Sequence, residues 1–417
     1  MLTYRVVTSA PQVVRSLPQV SAAFYSNCTS SQLDSLTIHL RNMLDKLDRG
    51  QKMSKPLGTV WPLEQHTAKK HEILRRYFEA WLPIMSSRNG RVLYIDGFAG
   101  PGKYSQGEDG SPLIILKAAR DHTYKVEAEL MCLFVEADTD RYEHLKSVLA
   151  ETSPSLPKNV AFEAICGTFD EHLAQVFDEL QKQKEQIAPT LAFIDPFGFT
   201  HTPFSTVAKI LENKQCEVLV NFMYEEVNRF LSLPNHSGDY DRLFGTREWR
   251  EALGKPTPDT RRRFLHDLYL KQLKTVAKYA RSFEMLNQGN RTDYFLFFAS
   301  NNLRGLEKMK ESMWRVDPDG QFQFSDFTTD VSDQLLLFKN EPDYDTLRSM
   351  IRSRFGGREV EIVQLGDWVI SETPFLRTHI KTKVLAPMEK EGSLSVPNPK
   401  QGRRSCTYPE GTVVRFS

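Results

Sequence analysis

The sequence is poor in the features that mark several protein classes. It has five cysteines, Cys28, Cys132, Cys166, Cys216 and Cys406, scattered and with no C-x-x-C pair. That excludes a disulfide framework or a zinc-finger pattern and fits reduced thiols. Charge of one sign is also missing: 54 basic and 53 acidic residues leave a net charge of +1. Any nucleic-acid contact must then come from local patches. No apolar run approaches the ~20 residues needed to span a bilayer, and no signal-peptide pattern opens the chain. The expectation is a cytoplasmic protein with no membrane association and no bound metal. With 417 residues, 40% of them hydrophobic, two or three folding units are expected.

Residues 1–52 read as an N-terminal extension, or as an upstream start. The one regular feature there is a Leu/Met spacing over 31–47 that predicts an amphipathic helix. From 53 the pattern sharpens. Ile73, Leu74, Tyr77, Phe78, Trp81 and Leu82 mark one face of a helix over 64–85. Short apolar runs then alternate with helical stretches. The runs end at Asp96, Glu136, Ile165, Asp195 and Phe222. This βαβ spacing predicts an α/β, Rossmann-like parallel sheet with polar residues at the carboxyl ends of its strands, where such sheets bind ligands. Ser111 is expected to cap the helix after the first strand, with Pro112 in its first turn. Residues 224–290 read as a helical insertion with a basic helix over 261–280. A further strand is expected over 294–300. The unit 53–338 is followed by 339–417, where helices at 344–354, 360–371 and 374–391 precede strands at 393–396 and 412–416. That order predicts a winged helix-turn-helix. Seven basic and two acidic residues lie between Arg377 and Arg404.

Three motifs carry chemistry. The first is Asp96-Gly97-Phe98-Ala99-Gly100-Pro101-Gly102, whose glycines let the backbone turn sharply beside a ligand. With Lys103 it comes near a P-loop. However, Tyr104 stands where Mg²⁺ binding wants Ser or Thr, and the helix starts late. Asp96 would repel phosphate by ~4 kcal/mol per unit charge at ~4 Å and an effective dielectric of about 20. The same carboxylate suits the ammonium of S-adenosylmethionine (SAM). Asp96, Gly97, Phe98, Gly100 and Gly102 are therefore the candidate cofactor loop. The second motif is Glu136, at the next strand end, a candidate acceptor for ribose hydroxyls. It lies 40 residues after Asp96, against about 20 in dinucleotide sites; the long glycine loop accounts for the excess. The third is Asp195-Pro196-Phe197-Gly198-Phe199. A carboxylate and a carbonyl can accept N–H hydrogens and turn a nitrogen lone pair toward a methyl group, while Phe197 or Phe199 stacks on a base. Asp195, Pro196 and Phe197 are the candidate catalytic residues. No Pro-Cys pair supports a cysteine nucleophile. Arg262, Lys271, Arg377, Lys381 and Arg403 are the candidate phosphate contacts.

The chain resembles the three-Cys-motif partner proteins. The resemblance rests on Lys70-His-Glu-Ile-Leu-Arg-Arg-Tyr-Phe-Glu-Ala-Trp81, on Tyr94-Ile-Asp-Gly-Phe-Ala-Gly-Pro-Gly-Lys-Tyr104 with Gly110-Ser-Pro-Leu113, on Ala192-Phe-Ile-Asp-Pro-Phe-Gly-Phe199, and on Val220-Asn-Phe-Met223 with Asn228-Arg229. It spans roughly 64–335, and the tail resembles the winged-helix domain that often follows. It implies a Rossmann-like methyltransferase fold, SAM as cofactor, and a partner protein with three cysteines of radical-SAM-like, iron–sulfur character. It assigns no substrate. The readings that stay open are a nucleic-acid methyltransferase acting on an exocyclic amine, a non-catalytic SAM- or nucleic-acid-binding partner, and a P-loop-like NTPase.

Overall fold

The computed structural model describes residues 58–124, 126–287, 289–317, 323–325, 342–399 and 401–417. The extension 1–52, with its expected helix at 31–47, lies outside them.

Helix α1 (Gln65–Ser86) buries the predicted stripe from Ile73 to Leu82 against the sheet. Five parallel strands follow: β1 (Arg91–Asp96), β2 (Glu129–Glu136), β3 (Val160–Cys166), β4 (Thr190–Ile194) and β5 (Glu217–Phe222). Between them run α2 (Ser111–Arg120), α3 (Thr139–Thr152), α4 (Phe169–Gln183) and α5 (Phe204–Glu212). Strands β4 and β5 are buried along their whole length, as central strands covered on both faces must be. Alternation then sorts side chains between two cores. Val92 and Tyr94 join α1 and α2 on one face, while Leu93 and Ile95 join α4 and α5 on the other.

Helices α6 (Tyr224–Phe230), α7 (Ser237–Phe244) and α8 (Pro258–Val276) come next. Thr257 caps α8 from outside, with Pro258 in its first turn. The chain then returns to the sheet as β6 (Tyr279–Leu286) and β7 (Thr292–Ser300). This corrects the insertion expected over 224–290 and the helix expected to run to 280. The polar Arg281, Ser282 and Glu284 hide a strand that sends Phe283 and Met285 into one core and Ala280 into the other. Strand β7 pairs antiparallel with both β5 and β6, and β8 (Gln323–Ser325) adds to β6. The order is β3-β2-β1-β4-β5-β7-β6-β8. Helix α2 begins at Ser111 itself with Gly110 at the cap position, one residue earlier than the predicted cap.

Glu217, at the start of β5, is buried and accepts hydrogen bonds from Tyr77 of α1 and, at 2.6 Å, from Ser300 of β7. Burial pushes its carboxyl up to about 7, against these two donors.

Helix α9 (Leu303–Val316) leads to the C-terminal unit. That unit has α10 (Tyr344–Phe355), β9 (Glu359–Glu361), α11 (Ile362–Glu372), a helical run in three pieces (Arg377–His379, Ile380–Leu385, Ala386–Lys390), β10 (Leu394–Ser395) and β11 (Val413–Phe416). Its strands form a sheet in the order β10-β11-β9. Residues 360 and 361, expected to open a helix, belong to strand β9 because Val360 pairs with Val414. The unit shares a core with α1 and α9. Lys310 of α9 is fully buried, and its amine lies within hydrogen-bond distance of the carbonyls of Val369 (3.2 Å), Ile370 (3.0 Å), Thr373 (2.8 Å) and Phe375. These are the orphan carbonyls at the end of α11 and the loop behind it. Burial, with Arg281 nearby, holds this amine well below the usual lysine range. Trp314 donates to Pro374 at 2.9 Å, and Arg281 to Thr373 at 2.9 Å.

Candidate active site

The carboxyl ends of β1, β2, β4 and β5 carry Asp96, Glu136, Asp195 and Asn221. The glycine loop crosses above them. Its backbone is pinned by Gly97 N to Phe193 O (2.9 Å) and Ala99 N to Val135 O (2.8 Å). Gly100 and Gly102 have φ of +63° and +82°, so glycine is required for the turn. At Gly97 a Cβ would lie 2.8 Å from the ring of Phe169, so this glycine serves close packing.

Asp96 is fully buried. Its Oδ1 accepts from Phe98 N at 3.3 Å, and Ser111 also bonds its carboxylate. Its Oδ2 has no partner. Burial raises the carboxyl to about 7; the Ser111 bond opposes this and the Asp195 charge adds to it. Glu136 accepts from Gly100 N at 2.9 Å and from Asp138 N at 2.8 Å, and burial raises its pKa despite them.

Beyond the loop lies a cleft of about 430 Å³, within the size range of small-molecule sites. Asp195, Pro196 and Phe197 line it, as do Phe98, Gly100 and Gly102. Asp195 bridges two residues that the motifs alone did not single out. Its Oδ2 lies 2.6 Å from Lys70 Nζ, and its Oδ1 accepts from Asn221 Nδ2 at 2.6 Å. Lys70 is buried, and its ammonium also sits 5.0 Å from the Tyr294 ring centre. The signal was there: Lys70 falls on the apolar stripe of α1, three, four and seven residues before Ile73, Leu74 and Tyr77. Asn221 was legible too, as a polar residue inside the otherwise apolar run from Val218 to Phe222. His71, beside Lys70, is held neutral, its pKa pushed down to about 3 by burial and then by Lys70.

The two aromatic candidates separate. Phe199 belongs to the core, stacked on Tyr240 at 4.8 Å. Phe197 is 47% exposed at the cleft mouth, edge-on to Trp61, and Arg141 lies 4.9 Å from both ring centres. The P-loop alternative finds no support. Lys103 pairs with Glu151 at 3.7 Å, and the turn from Lys103 to Asp109 separates it from α2.

Four of the five candidate phosphate contacts are tied into the protein's own ion pairs. Arg262 holds Glu284 and Asp259, and Lys271 holds Glu248 at 2.8 Å. Arg377 holds Glu307 (3.1 Å) and Asp367 (2.8 Å), and Arg403 holds Glu389 at 2.7 Å. Lys381 is exposed.

No family model matches the chain, and no curated protein matches it. Among solved structures it is similar to an O-methyltransferase from Bacillus cereus in complex with SAH, at 12% identity and a TM-score of 0.31, over 68% of this chain and 96% of that one. It is also similar to a precorrin-6y C5,15-methyltransferase from Geobacter metallireducens, at 10% identity and a TM-score of 0.27, over 61% of this chain and 95% of that one. The fold assignment rests on the strand order itself: the parallel strands in the order β3-β2-β1-β4-β5 make a Rossmann-like, doubly wound sheet, which the antiparallel β7 extends. Among the described residues no helix is long and apolar enough to cross a membrane.

Proposed function

We propose that the chain is a SAM-dependent methyltransferase whose acceptor is an amine nitrogen. The observation that carries this is the convergence of Asp96, Glu136 and Asp195 at the ends of β1, β2 and β4, beside one glycine turn and one cleft. The residues fit the cofactor. The unpartnered Oδ2 of Asp96 suits a cationic ammonium, and a buried carboxylate oxygen left alone is costly. Gly100 has no atom closer than 3.9 Å to where a Cβ would stand, so a ligand can approach the backbone there. Glu136 would take the ribose hydroxyls in exchange for the Gly100 N–H it now accepts. When bound, the cofactor supplies an electrophilic methyl group. Asp195 and the Pro196 carbonyl accept the acceptor's N–H hydrogens, and Phe197 covers the cleft mouth.

The test is a melting experiment. SAM and S-adenosylhomocysteine should each stabilise the protein, by about 2.7 kcal/mol at 100 times the dissociation constant, while ATP–Mg²⁺ should not. No shift with either would sink the cofactor assignment.

A second reading concerns the C-terminal unit. Its order of helix, strand, two helical stretches and two strands supports a winged helix-turn-helix, and its 377–390 run presents the exposed Lys381 and Lys383. A nucleic acid would bind there through phosphates. Lys381→Ala with Lys383→Ala should then weaken binding and flatten its salt dependence; unchanged binding rejects this reading. The partner with three cysteines, implied by the resemblance, is part of this reading; co-purification of the two proteins tests it.

A further inference from the structure

The far wall of the cleft is formed by the residue before α1, the start of α6 and the β6–β7 hairpin. It brings Glu64, Glu225 and Asp293 together. His66 Nε2 sits between Glu64 (3.0 Å) and Asp293 (3.4 Å), and Glu225 bonds Asp293 directly. Burial and Glu225 push Asp293 up to about 6, while His66 pulls the other way. Glu225 also faces Arg229, 3.9 Å away across open surface. The cations lining the cleft offset this wall only in part: Lys70 acts on Glu64 through space, and His66 lies between Glu64 and Asp293. Lys70 is engaged by Asp195, Lys103 is turned to Glu151, and His71 is neutral.

A second observation is independent of these acids. Asn221 lines the cleft, is 3% exposed, and spends its amide N–H on Asp195 and Met223. Its Oδ1 has no partner. A buried amide oxygen without a donor calls for an N–H brought by a ligand. Met223 and Tyr294 line the cleft as well. They offer apolar surface to a methylene chain. The cleft's modest volume favours a small acceptor over a polymer.

We infer that the acceptor is a small aliphatic amine with a second cationic nitrogen: one nitrogen donates to Asp195 and Asn221, and the other is held by Glu64, Glu225 and Asp293. This rests on the methyltransferase reading. In the transfer, the acceptor nitrogen's lone pair forms the new N–CH₃ bond as the S–CH₃ bond of SAM breaks. S-adenosylhomocysteine leaves, and one proton passes from nitrogen to solvent.

The probe is spermidine, used with the full chain. Calorimetry with S-adenosylhomocysteine present should show spermidine binding, and SAM should be consumed with a methylated polyamine as product. Glu225→Gln with Asp293→Asn should weaken spermidine binding about tenfold or more while leaving S-adenosylhomocysteine binding unchanged. Glu64→Gln, at a largely exposed side chain, should weaken it in the same direction and guards against misfolding of the double variant. If S-adenosylhomocysteine binds but spermidine does not, or if spermidine binding ignores these substitutions, the inference is overturned and the cofactor reading stands. Methyl transfer to an oligonucleotide in place of spermidine also overturns it. Failure of S-adenosylhomocysteine itself to bind overturns both.

Discussion

Lys70 Nζ lies 2.6 Å from Asp195 Oδ2, joining the first helix of the sheet domain to the end of its fourth strand. Lys70 is 5% exposed, and the other hydrogen bond to the Asp195 carboxylate comes from the neutral amide of Asn221. Lys70→Met leaves Asp195 with Asn221 alone. Breaking a buried pair costs about 3–5 kcal/mol, and the fifth of Asp195 still open to water places this case at the low end. Lys70→Met with Asp195→Asn should recover part of the loss. Urea unfolding of the three variants measures the coupling; additive effects would show that the pair is not a unit.

Under the proposed cofactor assignment, Asp96 sets the pH dependence of binding. Its carboxyl sits at about 7, and a cationic ligand favours the ionised form. Affinity for S-adenosylhomocysteine should therefore rise as pH increases through about 7 and level off above it. Asp96→Asn should bind weakly with a flatter profile between pH 6 and 8. Calorimetric titration across that range checks both slopes.

Glu217 gives stability the opposite slope. Its folded pKa of about 7 is above the ordinary 4.5, so the folded state holds the proton more tightly. The stability linked to it is full below about 4.5 and is lost as pH rises through about 7. Glu217→Gln keeps the neutral shape. Relative to the wild type it should gain on the order of 2–3 kcal/mol between pH 5 and pH 8, since a tenfold difference in proton affinity is worth about 1.4 kcal/mol. Parallel melting curves at the two pH values would contradict this.

Lys310→Met removes the donor from the carbonyls behind α11 and should cost about 1–3 kcal/mol. A lysine held below its ordinary range stabilises the fold most at high pH, and that stability is lost as pH falls toward its folded pKa. The gap between wild type and variant should therefore narrow on acidification, which denaturant titrations at pH 9 and pH 6 would reveal.

The parallel half of the sheet was legible because its strands are short, continuously apolar and tipped with acids. The glycine loop and Asp195 were legible for the same reason. Strand β6 was not, because Arg281 and Glu284 face partners far away in sequence: Thr373 and Arg262. Lys70 was masked by its neighbours. In a run of Lys69, Lys70, His71 and Glu72, composition suggests a solvated face, and only the helical phase of Lys70 separates it from Lys69. The basic residues named as candidate phosphate contacts show the reverse case. Arg377 and Arg403 looked available because their carboxylates, Glu307 and Glu389, lie 70 and 14 residues away.

Lys310 also bears on how the chain can be divided. Its amine stands in the first unit while its acceptors all stand in the second, and a single apolar cluster runs through both. A cut near 340 would strand a bare amine in one fragment and, in the other, the carbonyls of Ile370, Thr373 and Phe375 that it answers. The two units are thus one cooperative body. The C-terminal helices are held in register with α9, and through α9 with the helix that carries Lys70.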